Sequence, residues 1–316
     1  MSVFTAPHFH DEDAAYKFVE ARIWANGRVC PHCGTVDNSA KLKGKSTRKG
    51  VYKCYDCRKP FTVKVGTIFE SSHVKLHIWL QAIFLIASSK KGISSNQLHR
   101  TLGVTLKTAW FMSHRIREAM KPGKPGPLGG AGMTIEADET YFGRRDRPSG
   151  KSTYINGMGW VSALPLMSQR KVVTLVERGG RARSFHVDRV TGKTVQNILF
   201  KNADRQSRLM TDEAGVYKRP GRQFAEHYSV NHSADEYVRG SAHTNSIEGY
   251  FSIFKRGMKG VYQHCGEQHL HRYLAEFDFR YSERAALGVD DKARADKILL
   301  GFVGKRLTYQ TTNCAA

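Results

Sequence analysis

The spacing of hydrophobic residues predicts helices in the first 120 residues of the chain. Ala15, Phe18, Val19 and Ile23 recur at helical intervals in DEDAAYKFVEARIW, behind acids that are typical of a first helical turn. The apolar run LHIWLQAIFLIASS, residues 76–89, is shorter than the about 20 residues that cross a bilayer. It therefore predicts a buried helix rather than a membrane span.

The next segment, GISSNQLHRTLGVTLKTAWFMSHRIREAM, has the layout of a helix-turn-helix. Ser94 or Ser95 can cap a short helix that ends before a turn at Gly103. Thr105 can cap a second helix that runs through Met120. An ordinary helical hairpin has the same pattern, so both interpretations stay open.

The second of these helices has a predicted packed face at 3–4 spacing, formed by Leu106, Ala109, Trp110, Ser113 and Ile116. The polar positions left for other faces are Lys107, His114, Arg115 and Arg117. Residues 61–130 carry ten Lys or Arg and only two Asp or Glu. Because this excess favours phosphate contact, we predict that Lys107 and Arg115 bind DNA.

A Gly- and Pro-rich stretch, KPGKPGPLGGAG, predicts a linker. Beyond it, the segments GMTIEADETYF, KVVTLVERGG, RARSFHVDRV and SRLMTD have strand patterns, and TGKTVQNILFKNA before the last of them has a helical pattern. This order predicts an α/β domain with a mixed sheet. The Gly-, Arg- and Ser-rich residues 144–159 are predicted to form a mobile loop, and HLHRYLAEFDFRYSER an amphipathic helix.

The formal net charge of +22 is the strongest compositional signal in the chain. A surplus of this size predicts a polyanionic partner, with nucleic acid favoured over an anionic membrane surface. The N-terminus lacks a basic segment followed by an apolar one, so we predict no secretory signal and a cytoplasmic, nucleoid-associated location.

Four of the six cysteines form two Cys-x2-Cys pairs, Cys30 with Cys33 and Cys54 with Cys57. Two such pairs at this separation are typical of a tetrahedral four-thiolate zinc site. Four thiolates leave no open coordination position, so we predict a structural zinc ion that supplies much of the folding free energy of this segment. Four unrelated thiols are the alternative.

Three acids stand in contexts that favour a shared metal site. Asp138 lies in a predicted strand with Glu136 on the same face, and Asp212 ends another strand. Glu248 begins a helical segment. Carboxylates suit Mg²⁺ or Mn²⁺, and two such ions about 4 Å apart support phosphoryl transfer. Taken singly, each acid has the alternative interpretation of a solvated surface charge.

Two basic residues follow the third acid on the same predicted helix. Lys255 comes two helical turns after Glu248 and shares its face, and Arg256 lies one step round the helix. We predict that this pair binds DNA by holding a phosphate beside the cleaved bond.

Together these motifs resemble the DDE-type insertion-sequence transposases, in particular the bacterial group that is related to the Merlin elements and carries an N-terminal zinc ribbon. The matching segments, in family order, are CPHCG…YKCYDCRKPFTVKVGTIFE, IEADETYFG, VERGG, TDEAGVY, HTNSIEGYFSIFKRGMKGVYQH and HLHRYLAEFDFRYSER. The resemblance implies an RNase H-like catalytic domain with Asp138 on the first strand, Asp212 on the fourth and Glu248 on a helix. It also implies that Lys255 contacts the transposon end.

Three neighbouring acids compete with this assignment, namely Glu136, Glu139 and Glu213. Glu136 is the strongest competitor, because it would share the strand face of Asp138.

The resemblance further implies an activity. Metal-activated water would cut the transposon end, and the released 3′-hydroxyl would attack target DNA, with the protein assembled as a dimer or higher oligomer. A DNA-binding regulator with an inert C-terminal domain and a nuclease without strand transfer are the alternatives.

The predicted regions are residues 1–66 (helix and zinc ribbon), 67–122 (helix-turn-helix-like, DNA-binding), 123–132 (linker) and 133–316 (catalytic domain).

Overall fold

The computed structural model describes residues 3–123, 125–143, 153–157, 159–161, 169–230 and 243–307. The chain forms two compact units: the first joins residues 1–123 with those from Glu283 onward, and the second comprises residues 124–282. The sequence pattern predicts one domain for residues 133–316, whereas the residues after Ser282 group with the N-terminal part.

The first unit contains a small sheet and five helices among its described residues. In chain order they are α1 (Glu12–Ile23), β1 (Ser39–Lys41), β2 (Tyr52–Cys54), β3 (Pro60–Phe61), α2 (Leu76–Ser88), α3 (Ser95–Leu102), α4 (Leu106–Met120) and, after the second unit, α9 (Asp291–Leu300). The strands pair antiparallel in the order β1-β2-β3. Tyr52 of β2 packs on Trp24 and Phe61, with ring centroids 5.3 and 6.0 Å away. This apolar core is small, which is the condition under which a metal cluster is needed for folding.

The two helices of the predicted helix-turn-helix form with the predicted caps. The Ser94 side chain accepts a hydrogen bond from the Gln97 amide at the start of α3, and Thr105 accepts one from Thr108 at the start of α4. Gly103 between them has φ of 65°, a left-handed conformation that favours glycine. The local sequence pattern is therefore confirmed for both helices.

The packing of α4 differs from the prediction. Ser113 and Ile116 are fully buried as expected, but Leu106 is 47% exposed. Arg115 and Arg117, which the pattern places on outer faces, are only 5% and 2% exposed. Other elements of the first unit cover this part of α4, so Arg115 and Arg117 also lie in the interior.

The prediction that Arg115 binds DNA is therefore wrong. Its guanidinium donates hydrogen bonds to the backbone carbonyls of Ile68 at 2.6 Å, Glu70 at 2.8 Å and Leu307 at 3.0 Å. A buried guanidinium whose donors are used by backbone carbonyls is a structural group, because binding a phosphate would leave those carbonyls without their donor.

The second unit is built on a five-stranded sheet. Its described elements are β4 (Thr134–Phe142), β5 (Thr153–Ile155), β6 (Gly159–Val161), β7 (Arg170–Glu177), β8 (Ala182–Val187), α5 (Gly192–Asn202), β9 (Arg208–Asp212), α6 (Gly215–Gly221), β10 (Glu226–Val230), α7 (Asn245–Gly257) and α8 (Leu270–Ser282). The strand order is β10-β9-β4-β7-β8. The pairs β4–β7 and β7–β8 are antiparallel, whereas β4–β9 and β9–β10 are parallel. This is the RNase H-like topology, and it confirms the predicted α/β fold with a mixed sheet.

Helices cover both faces of this sheet. On one face, Ile135 of β4 and Leu209 of β9 share a core with Leu199 of α5. On the other, Val172 of β7 shares a core with α7 and α8, including Phe254. Side chains alternate along a strand, so every second residue of β4 points toward α7.

Two features were not predicted. The segment 144–159 contains β5, which pairs antiparallel with β6, so the loop prediction is wrong there; residues 144–152 and 158 lie outside the described residues. The edge strand β10 also has no clear hydrophobic alternation in the sequence. No helix in the described part of the chain is both long and apolar enough to cross a bilayer.

Candidate functional site

Strand β4 carries the first acid of the candidate site. Ile135 and Ala137 are fully buried and belong to the core beneath α5. Alternation therefore directs Glu136 and Asp138 to the opposite face, which α7 covers.

The second acid lies at the end of the neighbouring strand. Strands β4 and β9 run parallel, with Ala137 opposite Thr211. Asp138 and Asp212 are the next residues along the two strands, so they lie side by side where the pairing of β4 with β9 ends. In open α/β sheets, ligands bind beyond the carboxyl ends of parallel strands.

The third acid comes from the first turn of α7, which packs on the same face. Ile247, Tyr250 and Phe254 of this helix are buried, and Glu248 lies beside them on the solvent side. The Thr244 hydroxyl donates a hydrogen bond of 2.9 Å to Glu248 Oε1. The helix begins at Asn245 with Thr244 at the cap position.

The charges of Asp212 and Glu248 affect the ionisation of Asp138. The pKa of Asp138 is raised to about 7, first by burial and then by the negative charges of Asp212, Glu139 and Glu248, against a hydrogen bond from the Glu139 amide that lowers it. The folded protein thus holds several carboxylates close together with too little positive charge to offset them, which is the usual condition of a functional site.

The oxygens of Asp138, Asp212 and Glu248 do not form a compact ligand cluster. Within the described residues, only the four cysteines place three or more possible ligand atoms all within 4.8 Å of one another.

Glu139, one of the competing acids, is held by α6. The buried Tyr217 hydroxyl donates a hydrogen bond of 2.7 Å to Glu139 Oε2. Burial raises the pKa of Glu139, the bond from Tyr217 lowers it, and the charge of Asp212 raises it. Glu139 thus contributes negative charge to the site while its own oxygen is engaged on the α6 side.

Glu136, the strongest competitor, is fully buried. Its Oε1 accepts a hydrogen bond from Arg178 Nε at 2.6 Å, and its Oε2 accepts one from the Ile247 amide at 2.9 Å. Both oxygens are used within the protein, so Glu136 is far less accessible to a ligand than Asp138. The third competitor, Glu213, is exposed just beyond β9.

The predicted DNA-binding residues other than Arg115 are exposed. Lys255 and Arg256 lie on the outer side of α7, and Lys107 lies on the outer side of α4. Lys255 is seven residues after Glu248, which places it about 10 Å further along the same helix.

The four predicted zinc ligands come together in the first unit. Cys30 Sγ lies 3.7 Å from Cys57 Sγ, and Cys33 Sγ lies 3.6 Å from Cys54 Sγ. Four sulfurs bound to one zinc ion at about 2.3 Å are about 3.8 Å apart, so these distances fit a tetrahedral ion. The donor set is that of a structural zinc site.

Sequence reasoning missed the residues that hold the acids in place. Arg178 lies in the VERGG segment and Tyr217 in TDEAGVYKR, but their partners Glu136 and Glu139 are 42 and 78 residues away. The only available signal for Tyr217 was its place in a segment that already carried Asp212, and the segment of Arg178 carried no candidate acid.

Comparison with known proteins agrees with this architecture. The family model described as ISXO2-like transposase domain matches residues 127–282, and the model described as transposase zinc-ribbon domain matches residues 10–60. A protein in the transposable element ISH50 of Halobacterium salinarum is 30% identical over 286 residues, which cover 86% of this chain and 91% of that protein.

Solved structures give a weaker likeness. The Mos1 strand transfer complex aligns at 14% identity over 70% of this chain and 73% of that chain, with a TM-score of 0.27. A Mos1 transposase paired-end complex aligns at 13% identity over 66% of this chain and 76% of that chain, with a TM-score of 0.21. These scores are too low to support any argument about function. The two family models and the ISH50 relative show the family of this protein. The chain belongs to the ISXO2-like, DDE-type insertion-sequence transposases with an N-terminal transposase zinc ribbon.

Proposed function

We propose that this transposase cuts phosphodiester bonds at transposon ends and joins the released ends to target DNA, with Asp138, Asp212 and Glu248 as its catalytic acids. The observation that supports the proposal is the perturbed ionisation of Asp138. Its burial and the nearby charges of Asp212 and Glu248 together raise its pKa to about 7.

The donor set fits hard divalent cations. Carboxylate oxygens are the ligands that Mg²⁺ and Mn²⁺ prefer, and a cation would relieve the repulsion that perturbs Asp138. When bound, such ions supply activation of the attacking oxygen and stabilisation of the leaving one. The residues that would hold these ions are Asp138 of β4, Asp212 of β9 and Glu248 of α7.

Basic residues of the protein bind the DNA and hold it in position. Lys255 and Arg256 extend from the exposed side of α7, where they can bind phosphates on either side of the cleaved bond. Lys107 on α4 can bind phosphates of the transposon end in the same way. The net charge of +22 favours DNA binding by counterion release. No nucleophilic side chain is needed, because water and then the DNA 3′-hydroxyl are the attacking groups.

The test is a cleavage and joining assay with transposon-end DNA, a target plasmid and Mg²⁺. The proposal expects cut ends and joined products from the wild-type protein. Asp138→Ala, Asp212→Ala and Glu248→Ala should each lower cleavage at least about a thousandfold, while DNA affinity stays within about threefold.

The matched control is Glu213→Ala, which removes an exposed acid directly after Asp212 and should leave cleavage unchanged. Binding without cleavage would identify a regulator, and cleavage without joining would identify a nuclease. Wild-type cleavage by the Asp212→Ala protein would overturn the assignment of the acids.

A further inference from the structure

Helix α7 does not cap its own N-terminus. Thr244 occupies the cap position, yet its side chain accepts no hydrogen bond from the first turn. Its hydroxyl instead donates to Glu248 Oε1 at 2.9 Å. Threonine at this position ordinarily accepts from the second or third amide of the helix. The amide of Ile247, the third in α7, therefore takes its acceptor from elsewhere.

That acceptor is a carboxylate on the sheet. Glu136 Oε2 lies 2.9 Å from the Ile247 amide, across 111 residues of sequence. A negative charge at a helix N-terminus also interacts favourably with the helix dipole. Glu136 is thus a cap supplied by β4 in place of the one that Thr244 would provide.

The second oxygen of this carboxylate extends the link to the residue before the helix. Glu136 Oε1 accepts from Arg178 Nε at 2.6 Å, and the NH2 group of Arg178 donates to the His243 carbonyl at 2.6 Å. One carboxylate and one guanidinium therefore hold the backbone on both sides of the helix start, at His243 and at Ile247.

We propose that Glu136 is a positioning residue that fixes Glu248 against Asp138. Glu136 lies two residues from Asp138 on the same face of β4, and the amide it holds belongs to the residue next to Glu248. This proposal rests on the proposed function, because it gives Glu248 a place among the catalytic acids.

The placement of a metal-holding acid is sensitive to small errors. A displacement of about 1 Å can cost about a hundredfold in rate, and partners behind the metal ligands typically control metal affinity by 10–100-fold. Loss of the Glu136 cap would free the first turn of α7, and with it Glu248, while the buried residues further along the helix still hold it to the sheet.

The first experiment measures hydrogen exchange of peptides that span residues 243–257 in the full-length protein. Glu136→Ala should speed exchange in the first turn of α7 by at least about tenfold. Glu136→Gln keeps a carbonyl oxygen for the Ile247 amide but presents an amide donor toward Arg178, so its exchange should be intermediate. If Glu136→Ala does not fold, Glu136→Gln carries the test.

The matched control is Glu276→Gln. Glu276 is also fully buried and also ion-paired, with Arg280, but it lies on α8 and accepts a hydrogen bond from Tyr262, beyond the other end of α7. Its loss should lower stability without changing exchange in the first turn of α7. Equal effects of the two substitutions on that turn would overturn the proposal.

The second experiment titrates the zinc-loaded protein with Mn²⁺ and follows binding by calorimetry. Glu136→Ala should weaken Mn²⁺ binding at least about tenfold, and Glu276→Gln should leave it unchanged. In a Glu248→Ala background, Glu136→Ala should weaken binding less than about twofold further, because a residue that acts through Glu248 has no separate effect once Glu248 is gone.

The outcomes separate the two proposals. Unchanged Mn²⁺ affinity in Glu136→Ala, or fully additive effects in the double variant, would overturn the positioning role and leave the proposed function intact. A wild-type protein that neither binds Mn²⁺ nor cuts DNA would overturn the proposed function, and this inference with it.

Discussion

At the scale of single residues, Asp138 links the site to the stability of the fold. Its pKa rises from the ordinary 3.8 to about 7 on folding, first because it is buried and second because Asp212 is close. The folded protein therefore retains a proton between about pH 4 and pH 7 that the unfolded chain releases. The stability that this carboxyl contributes is complete below about pH 4 and is lost as the pH rises through 7.

This linkage gives a prediction about pH. In protein free of Mg²⁺ and Mn²⁺, the melting temperature should fall as the pH rises from 4 to 7, and Asp138→Asn should reduce that fall, because an amide does not ionise. Scanning calorimetry of the two proteins at several pH values measures the difference. The same pH dependence in both proteins would show that the ionisation of Asp138 is not coupled to folding.

Arg115 and Lys107 form a second residue-scale pair, because both are basic residues of α4 but only Lys107 is exposed. Arg115→Ala should lower the free energy of unfolding by about 2–4 kcal/mol, since it leaves three carbonyls without their donor, one of them on the fully buried Ile68. Lys107→Ala should leave stability within about 0.5 kcal/mol and weaken DNA binding.

Thermal unfolding and DNA titration at fixed salt concentration measure both quantities on the same proteins. If Arg115→Ala lowered DNA affinity per folded molecule and left stability unchanged, the assignment of Arg115 as a structural residue would be mistaken.

At the scale of elements, the zinc ribbon depends on its ligands more than on its core. Cys54 is fully buried at the centre of the cluster, within a core that is small. Cys54→Ser should release the zinc ion and unfold residues 30–61, while the sheet of the second unit stays folded. Zinc content by metal analysis and hydrogen exchange of the two regions test this.

The matched control for that experiment is Cys265→Ser, which changes a buried free cysteine of the second unit and should leave the zinc content unchanged. A ribbon that kept its protection against exchange after losing zinc would contradict the argument.

Individual elements also show how much the sequence could reveal. The caps of α3 and α4 and the strands β4, β7, β8 and β9 follow from local patterns, because caps and alternation depend on residues a few positions apart. Asp212 ends β9 and Glu248 lies in the first turn of α7, so local patterns point to both as candidates, whereas Asp138 lies in the middle of β4.

The remaining features depend on distant contacts. Arg115 has a surface-like sequence context, but its partners come from positions 45 to 192 residues away. The bond between Glu136 and Ile247 spans 111 residues, and β10 has little alternation because it lies at the sheet edge. Neither these long-range contacts nor strand β10 can be predicted from the periodicity of the sequence.

At the scale of the whole molecule, the first unit is completed by the C-terminal part of the chain. Phe302 is fully buried and packs edge-on against Phe69 at 4.8 Å, and Arg294 donates a hydrogen bond to the Ala87 carbonyl at 2.9 Å. The residues after Ser282 are therefore part of the N-terminal unit and its stability.

We expect Phe302→Ala to destabilise the first unit by about 3–5 kcal/mol through loss of buried surface and the cavity that remains. The adjacent Val303 is 61% exposed, so Val303→Ala should change stability by less than about 0.5 kcal/mol. Limited proteolysis with mass spectrometry should find new cleavage sites in the first unit of the Phe302→Ala protein only. New sites confined to residues 124–282 would contradict this division of the chain.

Because the first unit joins residues on both sides of the second, the order of synthesis on the ribosome matters. Residues 124–282 emerge as an uninterrupted segment and can fold while translation continues, since domains generally fold as units during synthesis. The helices before them must wait for Phe302 and its neighbours, which are translated after the whole second unit. A nascent transposase would therefore have a folded catalytic sheet before its N-terminal unit is complete, and a polypeptide terminated early near Ser282 would have every proposed catalytic acid but an incomplete N-terminal unit.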